Sequence, residues 1–163
     1  MHPDAWDLPE PFIERRVAAR DEIDGYGHVN NAVYVAWLDA CAWAHASALS
    51  LGPDVCARLN RGMAVWRTQI NYLGAAREDD SVEIATWPVF NDARLRIDRR
   101  FQIRRPSDGE TLLRALLHYV CIDLETGKAR RMPPEFRGYL VAPAVRAALE
   151  REAQPFQPGV EPR

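Results

Sequence analysis

The sequence has only three cysteines, Cys41, Cys56 and Cys121, an odd number at spacings that fit neither a zinc site nor a redox pair. The expectation is free thiols in a reducing cytoplasm. Net charge is also scarce. The formal value of -2 excludes steering of the whole molecule toward nucleic acid or an anionic membrane. The start, Met1-His2-Pro3-Asp4-Ala5-Trp6, lacks the basic region and apolar core of a signal peptide. Serine-hydrolase and P-loop signatures and internal repeats are missing. One apolar run, Ala32 to Leu51, reaches the length of about 20 residues that a membrane span needs. It carries Asp39, His45, Ser47 and Ser50, and much of its apolar content is alanine. It therefore reads as a helix buried inside protein, without membrane insertion.

What is present fits one domain. The 163 residues are 47% hydrophobic and 27% charged, ordinary values for a globular chain. A chain of this size buries roughly 70% of its unfolded surface, so its core needs no covalent staple. The organising stretch is Asp21 to Leu51. Its first half is polar, with Gly25 and Gly27 and several ionisable groups. Asn30 or Asn31 is the natural N-cap of a following helix, and Gly52-Pro53 is the expected stop. From Val33 to Ala48 the helix has no broad polar face, so most of its sides should be covered.

Strands supply the cover. Phe12 to Ala19 alternates loosely. Gly62 to Leu73 places Ala64, Trp66, Thr68, Ile70 and Tyr72 on one face. Ser81 to Val89 follows, then a turn at Asn91-Asp92. Ala93 to Arg104 sets Leu95, Ile97, Phe101 and Ile103 against Arg94, Arg96, Asp98, Arg100, Gln102 and Arg104. After the Pro106 to Gly109 turn, Thr111 to Asp123 reads as a central strand covered on both faces. Pro133 to Leu140 and Pro143 to Arg151 are short helix candidates, and Pro155, Pro158 and Pro162 mark a disordered tail. The order predicts one strand, one long helix, then a four-strand antiparallel meander curled around it. Trp66, Trp87 and the arginine-rich face suggest that outer surface is used, with burial in a dimer as the default.

The loop can do chemistry. Asp24 is a candidate general base or nucleophile, and His28 a candidate for orienting water or sharing its proton. The backbone amides of Gly27, His28 or the first helical turn can hold an oxyanion, aided by the helix dipole. The plainer alternatives are an Asx-turn role for Asp24, a loop-capping role for His28 and simple capping by Asn30 and Asn31. Tyr34 and Trp37 read as core or pocket wall, Asp39 as bonded to backbone or a tyrosine, and His45 and His118 as satisfied histidines. Arg94, Arg96, Arg100, Arg104 and Arg105 are either a solvated face or contacts to the phosphates of a ligand.

Asp24-Gly25-Tyr26-Gly27-His28-Val29-Asn30-Asn31-Ala32-Val33-Tyr34, followed by Trp37-Leu38-Asp39-Ala40, resembles the hotdog-fold thioesterases, most of all the 4-hydroxybenzoyl-CoA thioesterase and acyl-CoA thioesterase group. Asp123, Thr126-Gly127-Lys128 and Pro133 fit the end of the same pattern, and the likeness spans about residues 12–142. It implies an α+β hotdog fold, with an antiparallel sheet of about five strands around one long central helix. The family's catalytic aspartate falls on Asp24. In the acyl-carrier-protein branch a catalytic histidine falls on His28, and an asparagine stands where this chain has Tyr26. Gly27, Val29, Asn30, Asn31 and Tyr34 are the candidates for the oxyanion backbone and the substrate pocket. The implied partners are an acyl-CoA or acyl-carrier-protein substrate and further copies of the chain, as a homodimer or homotetramer with sites at the dimer interface. The implied chemistry uses no metal and no cofactor other than CoA within the substrate. The alternatives are a non-catalytic acyl-CoA-binding or regulatory hotdog protein and, more remotely, a hotdog dehydratase.

Overall fold

The computed structural model describes residues 6–153. The proline-bearing tail expected at Pro155, Pro158 and Pro162 lies outside them. In chain order the elements are β1 (Phe12–Val17), α1 (Asn31–Ala48), α2 (Pro53–Leu59), β2 (Arg61–Tyr72), β3 (Ser81–Asn91), β4 (Arg96–Arg105), β5 (Glu110–Asp123) and α3 (Pro143–Ala153). Single 3-10 turns occupy Arg20–Glu22 and Pro134–Gly138. The second replaces the short helix expected from Pro133.

The strands form one five-stranded antiparallel sheet in the order β1-β3-β4-β5-β2. Only β3, β4 and β5 make a meander. The expected four-strand meander fails at β2, which crosses to the far edge and pairs with β5, Tyr72 opposite Leu113 and Arg61 opposite Asp123. The reason is the connection. β2 and β3 stand three strand spacings apart, about 14 Å. The eight residues 73–80 reach up to about 26 Å when extended.

That crossover is fastened along its length. The amides of Leu73 and Gly74 donate to Leu112 O at 2.9 and 3.1 Å. Arg105 Nη1 donates to Ala75 O at 3.0 Å and to Asp80 Oδ2 at 3.2 Å. Its other nitrogens meet Asp108 and Glu110. Ala76 is fully buried; its N–H donates to Tyr34 Oη at 2.7 Å and its carbonyl accepts from Val29 N at 2.8 Å.

Helix α1 is capped by Asn30, whose Oδ1 accepts from Ala32 N at 2.9 Å. It ends at Ala48, one turn before the expected Gly52-Pro53 stop. Ser50 takes φ 60°, and Ser50 N and Leu51 N return to Ser47 O and Ala46 O in a Schellman pattern. Gly52 and Pro53 instead open α2, an element the sequence reading did not contain. Tyr34, Trp37, Leu38, Cys41 and Ala46 face the core. Within this chain the opposite side is bare: Val35 and Trp43 are 42% and 40% exposed. A five-stranded curl covers one side of the helix, not most of it. No helix among the described residues is long and apolar enough to cross a membrane.

The alternation of β2 is broken where Trp66 has no partner between Val65 and Arg67. A bulge flips the side-chain phase. Met63 and Val65 therefore lie toward α1, Ile70 and Tyr72 do so beyond the bulge, and Trp66 turns outward to His118, with ring centroids 5.6 Å apart. The single face expected from Ala64 to Tyr72 is split by that one residue. In β5 the inward residues Leu113, Ala115, Leu117, Tyr119 and Cys121 are buried, whereas Leu116, His118 and Val120 opposite are half-buried, so the second face is incompletely covered. Trp87, expected to await another subunit, is buried by this chain's own arm and α3: Trp87 Nε1 donates to Pro9 O, and Leu8 and Val145 pack there. The three cysteines are free and buried.

Tyr34→Phe removes the hydroxyl that receives a buried amide. It should destabilise folding by about 1–3 kcal/mol, measured by urea denaturation. An unchanged midpoint would show that Ala76 N–H finds another partner.

Candidate active site

The loop between β1 and α1 is held from three sides by Glu22. Its carboxylate accepts from Ala19 N at 2.9 Å and from Trp37 Nε1 at 3.0 Å, and its carbonyl accepts from Asn30 N at 2.9 Å. The loop closes on itself through an Ile23–Val29 bridge and through Asp24 N to His28 O at 2.7 Å. Gly27 sits at φ 78°, a value that glycine adopts without strain, and its N–H donates to Asp24 O at 3.1 Å.

Asp24 is half-buried and makes an Asx turn. Its Oδ1 accepts from Tyr26 N at 2.8 Å and from His28 N at 3.2 Å. Oδ2 has no hydrogen-bond partner among the described residues. The same turn occupies donors that the sequence reading offered to an oxyanion. The amides of Gly27 and His28 are engaged within the loop, Val29 N holds Ala76, and Asn30 N holds Glu22. The amide of Asn31, an exposed residue at the helix start, is the one left open there. Val29 and Tyr34, both 2% exposed, belong to the core and tie the loop to the crossover. They do not line the cavity described next.

That cavity lies farther along α1. It has a volume of about 150 Å³ between α1, α2, β2 and the inner face of β4 and β5. Ala42, Trp43, Met63 and Val65 form apolar walls. Asp39, expected to be satisfied by backbone or a tyrosine, is exposed and lines the cavity instead. Three polar residues also line it: Arg99, Tyr119 and Tyr139. Arg99 is 4% exposed, yet it forms no ion pair among the described residues. Its Nη1 lies 2.7 Å from His45 Nδ1, and its guanidinium stands over the Tyr139 ring at 5.6 Å. Burial, reinforced by Arg99, pushes the His45 pKa down to about 4. The neutral ring accepts through Nδ1. Burial also pushes Tyr119 and Tyr139 up to about 12, and the Tyr119 hydroxyl is buried without a partner.

Arg99 was absent from the sequence-based candidates. Its signal was its parity: it falls in step with Ile97, Phe101 and Ile103, on the core face of β4. Four of the five candidate arginines are engaged elsewhere, away from the cavity. Arg100 pairs with Glu152 at 2.9 Å, Arg104 stacks over Trp6, Arg96 over Trp66, and Arg105 holds the crossover. His118 meets Asp98 at 2.8 Å and Gln69 at 3.2 Å, on the outer face of the sheet.

A sequence profile described as the thioesterase-like superfamily matches residues 17–140 of this chain. The chain belongs to that superfamily. No curated protein matches it in sequence. Among solved structures, this thioesterase-like chain is similar to a 1,4-dihydroxy-2-naphthoyl-CoA thioesterase from Synechocystis at 19% identity and TM-score 0.71, covering 78% of this chain and 93% of that one. It is similar to a Staphylococcus aureus hypothetical protein solved in complex with CoA at 15% identity and TM-score 0.73, covering 94% and 92%. It is similar to a probable thioesterase from Escherichia coli at 25% identity and TM-score 0.64, covering 87% and 98%. The sheet wrapped on one long helix is the hotdog fold, shared with the Synechocystis thioesterase.

His45 predicts a pH dependence for folding of this thioesterase-like domain. Its native pKa, about 4, lies below the ordinary 6.5, so the unfolded chain takes up the proton first. The stabilisation is complete above pH 6.5 and is lost as pH falls toward 4, with a slope of at most about 1.4 kcal/mol per pH unit. Asp92, Asp108 and Asp123 are shifted down from 3.8, so their losses come at lower pH. Denaturant titrations at several pH values should show the slope in wild type and its loss in His45→Gln.

Proposed function

We propose that this chain hydrolyses an acyl-CoA thioester to a carboxylic acid and free CoA, with Asp24 as general base toward water or as nucleophile. The supporting observation is the asymmetric use of the Asp24 carboxylate: Oδ1 is fixed by two backbone amides while Oδ2 is left open. A carboxylate held through one oxygen keeps its direction without gaining a second partner that would weaken it as a base. In the reaction water adds to the carbonyl carbon, the C–S bond breaks, and the thiolate leaves and takes up a proton. A thiolate leaves readily, so the demand falls on attack and on the developing oxyanion. The Asn31 amide, at the positive end of α1, suits the oxyanion. His28, next to the turn, suits orientation of the attacking water. The CoA-bound Staphylococcus aureus neighbour favours CoA as the carrier.

The reading includes a homodimer, which pairs further into a homotetramer if the outer face is also used. The bare side of α1 and the unpaired edge of β2 carry Val35, Trp43, Val65, Tyr72 and Leu73, all at least 40% exposed. Asp39 and Ala46 lie eight and fifteen residues beyond Asn31, about 12 and 22 Å along the helix. Two-fold pairing of two such helices would set the loop of one protomer against the cavity of its partner.

The test is a panel of acyl-CoAs with free-thiol detection. Asp24→Asn is the informative variant, because an amide oxygen can still accept from Tyr26 and His28 and preserve the turn. We expect normal folding and a loss of kcat/KM of about 10² to 10⁴. Equal hydrolysis by variant and wild type would remove Asp24 from the mechanism. Calorimetric binding of acyl-CoA without turnover would favour the non-catalytic reading.

A further inference from the structure

Arg99 is 4% exposed on the core face of β4, and its one side-chain hydrogen-bond partner among the described residues is the neutral His45 ring. A guanidinium has five N–H donors. Among the described residues only Nη1 has a partner. A buried cation normally has a carboxylate beside it, because desolvation of an unpaired charge is costly. None of the ion pairs formed by the described residues includes Arg99. The carboxylate on the cavity, Asp39, is exposed and does not reach it.

A second polar residue lines the same cavity. Tyr119 lies on its wall, and the Tyr119 hydroxyl, tucked behind the cavity surface, has no hydrogen-bond partner among the described residues. Arg99 and Tyr119, on neighbouring strands, line one 150 Å³ space with apolar walls, and the Nε and Nη2 donors of Arg99, which have no partner among the described residues, suit an anion there. A cavity of about that volume accommodates a molecule the size of benzene. It therefore suits a few methylenes or one small ring plus a terminal group.

We propose that the cavity is the acyl-recognition site and that it selects a short acyl group ending in a carboxylate, which Arg99 and Tyr119 bind together. This rests on the thioesterase reading given above and adds the substrate class to it. Arginine matches a carboxylate with two parallel N–H donors, and a phenol adds a third. His45 accepts from Nη1 and leaves Nε and Nη2 for the ligand. Ala42, Met63 and Val65 contact the methylenes between the carboxylate and the thioester. Asp39, at the exposed side, repels a charged tail through solvent, where screening is strongest. The desolvated arginine therefore dominates. A thioester of a dicarboxylic acid fits this description, and its unsubstituted counterpart does not complete the site.

The experiment compares glutaryl-CoA with pentanoyl-CoA, which share a five-carbon chain and differ in the terminal carboxylate. Wild type should prefer glutaryl-CoA by about 10- to 100-fold in kcat/KM, as expected for a charge-assisted contact. Arg99→Met, which keeps bulk and removes charge, should lose activity toward glutaryl-CoA at least about ten times more than toward pentanoyl-CoA. Tyr119→Phe, which deletes one unpartnered oxygen and leaves packing intact, should narrow the preference several-fold. Calorimetry on the Asp24→Asn protein should show the same ordering of affinity. If nothing is hydrolysed but glutaryl-CoA still binds more tightly through Arg99, the thioesterase reading fails and the recognition site stands. A wild type that favours pentanoyl-CoA, or an Arg99→Met protein that loses both activities equally, overturns the proposal.

Discussion

The structure depends on one buried peptide, that of Ala76. Its N–H reaches Tyr34 of α1 and its carbonyl receives Val29 of the loop, so one residue of the crossover binds both helix and loop. Both groups are sealed from water, and neither contact is replaceable without leaving a polar atom unpaired. Arg105 secures the next peptide, at Ala75, and ties it to the end of β4. The sheet order follows from the same segment, because the chain between β2 and β3 must pass the ends of β5 and β4 to reach its place. The loop geometry follows too: with Val29 pinned and Glu22 holding Asn30, only the Asp24 to His28 bend is free to be shaped by its own side chain.

That arrangement separates two kinds of polar chemistry. The loop keeps its groups near solvent and satisfies most of them locally, leaving one carboxylate oxygen and one helix-start amide open. The cavity does the reverse. It buries a guanidinium and a phenol among apolar walls, with one Arg99 nitrogen bonded to His45 and the Tyr119 hydroxyl unpartnered among the described residues. The two regions lie at different heights on one helix. The bare apolar side of that helix lies alongside the cavity, so the second copy in the proposed dimer is what would bring loop and cavity together.

Much of this was legible in the sequence, for identifiable reasons. The Asp24 to Asn31 motif and the Ala-rich run after it mark loop and helix through capping and periodicity, which are local signals. The alternation in Arg96–Arg105 marks β4 in the same way. What local signals do not contain is pairing, so the place of β2 at the far edge was out of reach. A bulge at Trp66 reversed a face that simple alternation had assigned. Ser50 adopted a left-handed angle more often given to glycine, and so ended α1 before the Gly52-Pro53 pair. Arg99 went unread because a charged residue in a row of arginines looks like surface. Only its parity with Ile97 and Phe101 placed it inside. The candidate residues Asp24 and His28 came from the motif, but the identity of the open amide depends on the Asx turn, which exists only once the loop is folded.

The proposed role of Asp24 requires its Oδ2 to face the reacting carbon. It is tested most directly by a crystal structure with an acyl-CoA analogue in which a methylene replaces the thioester sulfur. The analogue's carbonyl carbon should lie in reach of Asp24 Oδ2, at about 3 Å or through one water, with its oxygen toward the Asn31 amide. An analogue bound elsewhere, with Asp24 facing bulk solvent in every protomer, would contradict it.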